Sequence, residues 1–219
     1  MKGDLEQMLQ NDRFLEILDR AAAIYSRSGY EGTGIRDLAA ALDIKSASLY
    51  HYFSGKEDIL FSIMWKFHSR FLREVTPLAE GDAPAHQLMR SLVGGHIRFD
   101  MRHWNDVVVS LRERNSLSSE RRNLVNNLRR KHRDGVVRLV QRGARPGSWA
   151  AREPVVVAST ILDMINGLVQ WYKPRGEADL AHMIEIYSCH AVALMSVPVE
   201  GNTVDAPASL AAKEMSAAQ

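Results

Sequence analysis

An all-α fold is predicted, on three observations. Apolar residues recur at three- and four-residue intervals through most of the chain, as one buried helix face requires. No segment sustains the alternation of a half-buried strand. Glycine, proline and small polar clusters punctuate the helical runs at intervals that suit about nine helices.

The first helix is set by Phe14, Ile17, Leu18, Ala21, Ile24 and Tyr25, which fall on one face, and Gly29 is placed to end it. A second helix is expected to begin near Thr33, whose hydroxyl suits a helix start, and to bury Leu38, Ala39 and Leu42. Asp43-Ile44-Lys45 reads as a tight connection, Ala47 to Phe53 as a short third helix, and Ser54-Gly55 as its stop. A fourth helix runs from Lys56 toward Val75, with Ile59, Leu60, Ile63, Met64, Phe67 and Phe71 on one side. Beyond the break from Pro77 to Pro84, helices are expected over about 85–101, 104–114, 118–142, 153–172 and 178–197. The Ala- and Ser-rich tail, 198–219, is read as disordered.

Composition excludes several classes. The chain has 219 residues, 46% hydrophobic and 25% charged, ordinary for a soluble globular protein. One cysteine, Cys189, rules out an intramolecular disulfide and suits a reducing compartment, so a cytoplasmic location is expected. The first twelve residues lack the apolar core of a secretion signal. The most apolar run, Val155 to Tyr172, carries Asp163, Asn166 and Gln170, and no membrane span is read there.

Charge is informative only locally. Residues 1–58 hold seven Lys/Arg against ten Asp/Glu, so nucleic-acid binding cannot rest on a basic domain. Ile44 to Lys56, however, contains Lys45, His51 and Lys56 and no acid. Residues 120–145 hold nine Lys/Arg against Glu120 and Asp134, a strongly basic helix that is either a solvated face or an anion site.

Two short helices joined by a three-residue turn, behind a longer supporting helix, have the layout of a helix-turn-helix over about 34–53. Ala39, Ala40, Ala41 and Ala47 would let the short helices approach closely. The third helix would then present Ser46, Ser48, Tyr50, His51 and Tyr52. Hydroxyls and lysines suit phosphate contacts, which set register, and such a helix docks in the major groove. Tyr52 is equally readable as part of the core.

The run Gly32-Thr33-Gly34-Ile35-Arg36-Asp37-Leu38-Ala39, then Ile44 through Phe53, then Lys56-Glu57-Asp58-Ile59-Leu60 resembles the N-terminal signature of the TetR family of transcription regulators over residues 11–71. The Leu-Tyr-His-Tyr-Phe run followed by Lys56-Glu57 is its most specific part. The resemblance implies DNA contacts from Thr33, Arg36, Lys45, Ser46, Ser48, Tyr50, His51, Tyr52 and Lys56, with Leu49 and Phe53 packing inside. Gly34 stands where the family often has Ser or Thr. It also implies an N-terminal three-helix DNA-binding domain and a C-terminal helical domain, 72–197, that binds a ligand and dimerises. The expected partner is double-stranded operator DNA.

The residues support dimerisation separately. Val155 to Tyr172 is apolar on almost every side and must be buried on every side. We therefore expect a homodimer through the helices at about 153–172 and 178–197, placing two recognition helices about 34–36 Å apart on a near-palindromic site.

For the effector, Arg114, Arg129, Arg133 and Arg175 are candidates for an anionic group, and Phe99, Met101, Trp104, Leu111, Trp171 and Tyr172 for an apolar one. Glu113-Arg114 with Leu117-Ser118, and Trp171 through Gly176, look like a TetR subgroup that senses acyl-CoA thioesters of lipid or steroid breakdown. The alternative is a sensor of hydrophobic drugs or other xenobiotics, which an all-apolar pocket without clustered arginines would favour. His96, Asp100 and His103 share a helix face and form a weak candidate metal set, though no metal or cofactor is expected. No phosphate loop, nucleophile elbow or metalloprotease helix is present, so an enzyme is not expected; enzyme and structural adaptor are the remote alternatives.

Overall fold

The computed structural model describes residues 2–199 and contains, among them, eleven α-helices and no β-sheet. In chain order these are α1 (Lys2–Met8), α2 (Asp12–Ser28), α3 (Ile35–Ala41), α4 (Ser46–Tyr52), α5 (Lys56–Glu74), α6 (Ala85–Arg102), α7 (Trp104–Arg112), α8 (Ser119–Gly143), α9 (Trp149–Arg152), α10 (Pro154–Leu168) and α11 (Glu177–Leu194). The nine expected helices are all present. Two short ones join them: α1, and the single turn α9, capped by Ser148, whose hydroxyl accepts from the Ala151 N–H at 3.3 Å.

Local chemistry explains the boundaries. Asn11 caps α2 by accepting from the Phe14 N–H at 3.0 Å. Gly29 ends α2 at φ 76° and ψ 157°, a conformation open essentially to glycine alone. The cap of α3 differs from expectation. Its N-cap is Gly34, whose N–H donates to Asp37 at 2.9 Å, while the buried Thr33 hydroxyl turns back to donate to the Gly29 carbonyl at 2.8 Å. The turn between α3 and α4 holds Asp43 at φ 55°, the left-handed region that aspartate tolerates better than most side chains. Of the four alanines expected at this crossing only Ala39 is buried; Ala40, Ala41 and Ala47 face outward.

Buried side chains form two clusters. One gathers Phe14, Leu18, Tyr25, Leu38, Leu49, Phe53, Ile59 and Ile63 behind the helix-turn-helix, and it also takes in Val109 from α7, Leu117 from the connection after it and Val125 from α8. The other joins the C-terminal half of α5, through Phe67 and Phe71, to α6, α7, α8, α10 and α11. α5 and α8 therefore serve both cores. Polar contacts tie the clusters as well: Lys66 on α5 donates to Asp19 on α2 at 2.5 Å and lies 3.1 Å from Asp106 on α7. The α6 helix sits so close to the 3-10 turn Thr76–Ala79 that a Cβ at Gly95 would fall 2.1 Å from Leu78.

α10 ends at Leu168 rather than at Tyr172, so Trp171 and Tyr172 lie in the loop that follows. It buries Val157, Ala158, Ile161, Ile165 and Leu168 within the subunit and leaves Val156 49% exposed. The tail expectation fails at its start, where Val199 donates to Gly147 and Pro198 bridges Ser148. Residues 200–219 lie outside the described part. No helix among the described residues is long and apolar enough to cross a membrane.

Candidate functional site

α4 is held from beneath and bare on top. Leu49 and Phe53 are fully buried, and Phe53 stacks on Phe14 of α2 at a centroid distance of 4.9 Å. The next turn is pinned by Asp58, which accepts from both the Ser54 N–H at 3.0 Å and its hydroxyl at 3.2 Å. The outward face carries Lys45, Ser48, Tyr50 and His51, all exposed, with Ser46 half-buried; Arg36 on α3 is also exposed. Tyr50, at 56%, is among the most exposed large side chains of the protein. This is a rigid helix offering short hydroxyls, a phenol, an imidazole and cations, as groove and phosphate contacts require.

Three of the residues implied for DNA sit otherwise. Thr33 is buried, and its hydroxyl is spent on the Gly29 carbonyl, so it serves the turn rather than the surface. Lys56 donates to the Tyr30 carbonyl at 3.0 Å and lies 4.0 Å from the Tyr30 ring, a contact that anchors α5 to the turn after α2. Tyr52 is half-buried, its ring 6.2 Å from Phe14 and 5.1 Å from His51, and so belongs partly to the core.

Behind this unit, α5, α6, α7, α8 and α10 enclose a cavity of about 500 Å³. Of the effector candidates, Leu111, Arg114, Arg129 and Arg133 line it. The others do not. Phe99 is fully buried in the core, Met101 borders a separate groove beside Glu177, and Trp104 packs against the core. Trp171 and Arg175 project from the α10–α11 loop, and the Tyr172 hydroxyl donates to Asp179 at 3.0 Å. Their helical phase was right only as far as α10 continued, and it stops short of them.

Part of the cavity's chemistry comes from residues that no local pattern singled out: His68, Ser110 and His132. His68 on α5 and His132 on α8 line it with His96 and Asp100 on α6 and Ser110 on α7. The rings of His96 and His132 meet the edge and face of Phe71 at 4.6 and 4.7 Å. Burial, reinforced by Arg129, His132, Arg114 and His96, holds His68 well below the usual imidazole pKa. Burial, with His96 and Arg129, pushes His132 down to about 3. Both rings are therefore neutral near pH 7. Arg129 is lowered by burial and by neighbouring Arg114, with Asp163 pulling the other way. Among the described residues neither arginine has a carboxylate within ion-pair distance; Arg114 reaches only Asn126, at 3.4 Å.

The metal reading does not survive. His96 Nε2 lies 3.3 Å from Asp100, but His103 turns away against Phe99, at 4.5 Å. Among the described residues no group of three His, Cys, Asp or Glu side chains is arranged to hold a metal ion.

The basic helix α8 resolves into separate faces. Arg121 bonds Asp58 at 2.8 Å, Arg129 and Arg133 face the cavity, Arg142 donates to the Ala83 carbonyl at 2.6 Å, and Lys131 and Arg138 are exposed.

Residues 17–63 match the family described as bacterial regulatory proteins, tetR family, and residues 82–195 match the tetracyclin repressor-like C-terminal domain. The chain belongs to the TetR family. Among its relatives, the HTH-type transcriptional repressor KstR2 of Mycobacterium tuberculosis is 25% identical over 193 residues, spanning 87% of this chain and 96% of KstR2. The crystal structure of the TetR-family regulator PfmR from Thermus thermophilus aligns with a TM-score of 0.71 at 26% identity, covering 81% of this chain and 97% of PfmR. That of AibR, in complex with isovaleryl coenzyme A and operator DNA, aligns with a TM-score of 0.69 at 27% identity, covering 80% and 97%. TetR-family membership makes this chain a transcription regulator, with α3 and α4 as its helix-turn-helix.

Proposed function

We propose that the protein is an effector-released repressor: a homodimer that holds a near-palindromic operator through α4 and leaves it when a coenzyme A thioester enters the cavity. One observation carries this reading. α8 lines the cavity with Arg129 and His132, and its first turns grip the recognition unit. Arg121 bonds Asp58, which in turn fixes Ser54 at the end of α4; the Ser118 N–H donates to Glu57 at 2.9 Å. A ligand that prefers one position of α8 thereby has unequal affinity for two placements of α4, which is what shifting a population requires.

The likeness to AibR, whose structure contains isovaleryl coenzyme A and operator DNA, supports the thioester and the DNA. The likeness to the repressor KstR2 supports repression as the sign of control. A cavity of about 500 Å³ is of ligand size. Arg114 and Arg129 suit an anionic group, with exposed Arg130 at the rim. The same four arginines, counting Arg133, argue against a sensor of purely hydrophobic drugs. For the dimer, exposed Val156 and half-buried Val155 and Met164 on α10, with Met183 and Tyr187 on α11, leave an apolar strip for the partner subunit.

Calorimetry with a ladder of acyl-CoA chain lengths, paired with release of a labelled promoter fragment, tests this. At least one thioester is expected to bind and to weaken the operator complex tenfold or more, about 1.4 kcal/mol of coupling. A ladder in which no thioester binds or releases DNA removes the effector assignment. A solution monomer without salt-sensitive DNA affinity removes the whole reading.

A further inference from the structure

We infer that the inner wall of the cavity is built for a hydroxyl group, so that the effector is a hydroxylated organic anion rather than a plain alkyl one. This rests on the cavity being the effector site. Five residues that line it bury six polar atoms with no hydrogen bond among the described residues: His68 Nε2, His96 Nδ1, His132 Nε2, Ser110 Oγ and both oxygens of Asp100, of which Oδ2 is 3.3 Å from His96 Nε2 as an ion pair and Oδ1 has no such neighbour. Their side chains are firmly interior, Asp100 and Ser110 each 1% exposed and none of the five residues above 8%. Protein interiors pair nearly all such atoms with protein or ordered water, so a group of exceptions around one cavity calls for an explanation.

The donor and acceptor pattern selects the ligand group. In its carboxylate form Asp100 offers only acceptors. A neutral imidazole offers one donor and one acceptor. On His132 one nitrogen is already engaged, Nδ1 lying 3.0 Å from the Thr76 hydroxyl, which leaves Nε2 for the cavity. A group here must therefore both donate, to Asp100, and accept, from a histidine or Ser110. A ketone only accepts and leaves Asp100 Oδ1 unmatched. An ammonium only donates, and four arginines line the cavity against Asp100 and Asp163. A carboxylate at the inner end faces Asp100 directly. A hydroxyl meets every requirement. The ligand's negative charge then belongs at Arg114 and Arg129, which have no carboxylate within ion-pair distance among the described residues, Asp163 acting on Arg129 only from further off.

The free hydroxy acid and its coenzyme A thioester share this chemistry, and matched ligands separate them. Four series are titrated by calorimetry and thermal shift: acyl-CoAs with and without a terminal hydroxyl, and the corresponding free acids, across chain lengths. At the best length the hydroxylated member is expected to bind at least tenfold more tightly than its alkyl twin, since a site built for a hydroxyl discriminates strongly against its absence. In Asp100→Leu, which keeps the branched skeleton and removes the acceptors, the preference is expected to reverse. In Ser110→Ala it is expected to shrink severalfold, with the melting temperature reporting that each variant is folded.

Alkyl and hydroxylated thioesters binding equally well at every length would overturn this inference and leave the thioester effector standing. The same hydroxyl preference among free acids alone would uphold it and overturn the thioester. If no member of any series binds, both fall.

Discussion

The recognition helix and the cavity both carry polar side chains that folding does not demand, and they carry them in opposite ways. On α4, Tyr50, His51, Ser48 and Lys45 stand in solvent, where water satisfies them. In the cavity, Asp100, Ser110, His68, His96 and His132 stand inside the protein with bonding atoms that the fold leaves unmatched. The first arrangement costs the fold nothing. The second costs stability, because a buried polar atom without a partner forfeits its hydration. Surface recognition and interior recognition thus draw on stability differently, and three measurements bear on that contrast.

The largest expected effect is on α4. Replacing Tyr50 and His51 together by alanine should weaken operator binding by roughly 2–6 kcal/mol, at about 1–3 per contact. Stability should stay within about 0.5 kcal/mol, as for exposed substitutions generally. Fluorescence anisotropy on a promoter fragment and a denaturant melt report the two quantities. A clear loss of stability would mean that these side chains hold the fold and that the contrast is misplaced.

Acid comes next. Unfolded histidine takes up a proton below about pH 6.5, whereas folded His132 resists until about pH 3. Between those values the unfolded state binds more protons, so stability present above pH 6.5 is lost as pH falls. His132 alone should remove about 2 kcal/mol between pH 7 and pH 5. His68, lowered in the same direction by burial and by Arg129, His132, Arg114 and His96, adds to it. Melts of the protein and of His132→Gln at both pH values provide the comparison. Equal acid sensitivity in the two proteins would place the loss elsewhere.

The smallest effect sharpens the contrast most. Ser110→Ala removes an unmatched buried hydroxyl and should leave stability unchanged or raise it by up to about 1 kcal/mol. A destabilisation larger than that, read from the denaturant midpoint, would show that the hydroxyl has a structural partner.

The fold was legible because helices announce themselves locally. Phe14 through Tyr25 predict α2 by spacing alone, and the run from Leu49 to Phe53 displays both the buried and the exposed side of α4. What spacing does not carry is which faces converge. His68 and His132 lie on helices far apart in sequence, and only the packing of α5 against α8 brings them to one cavity. A signal did exist: His68 sits in the apolar stripe between Phe67 and Phe71, where an imidazole is out of character. The aromatic candidates failed for the converse reason. Trp171 and Tyr172 continue the phase of α10 on paper, but the helix stops at Leu168 and the chain turns away. Thr33 and Lys56, implied for DNA by the resemblance, instead donate to the carbonyls of Gly29 and Tyr30, contacts that no local pattern announces. The short α1 and α9 lack the length that makes a periodicity readable.

α8 is an unbroken helix of 25 residues, roughly 37 Å at the standard rise of about 1.5 Å per residue. Arg121 and Arg129 lie on it just over two turns apart, the one clasping the DNA-reading head and the other facing the chamber behind. The residues proposed to meet the effector and those proposed to meet the operator have no member in common. Descendants of this chain can therefore exchange one chemical cue for another without forgetting which promoter they guard, provided the rod between the two stays stiff.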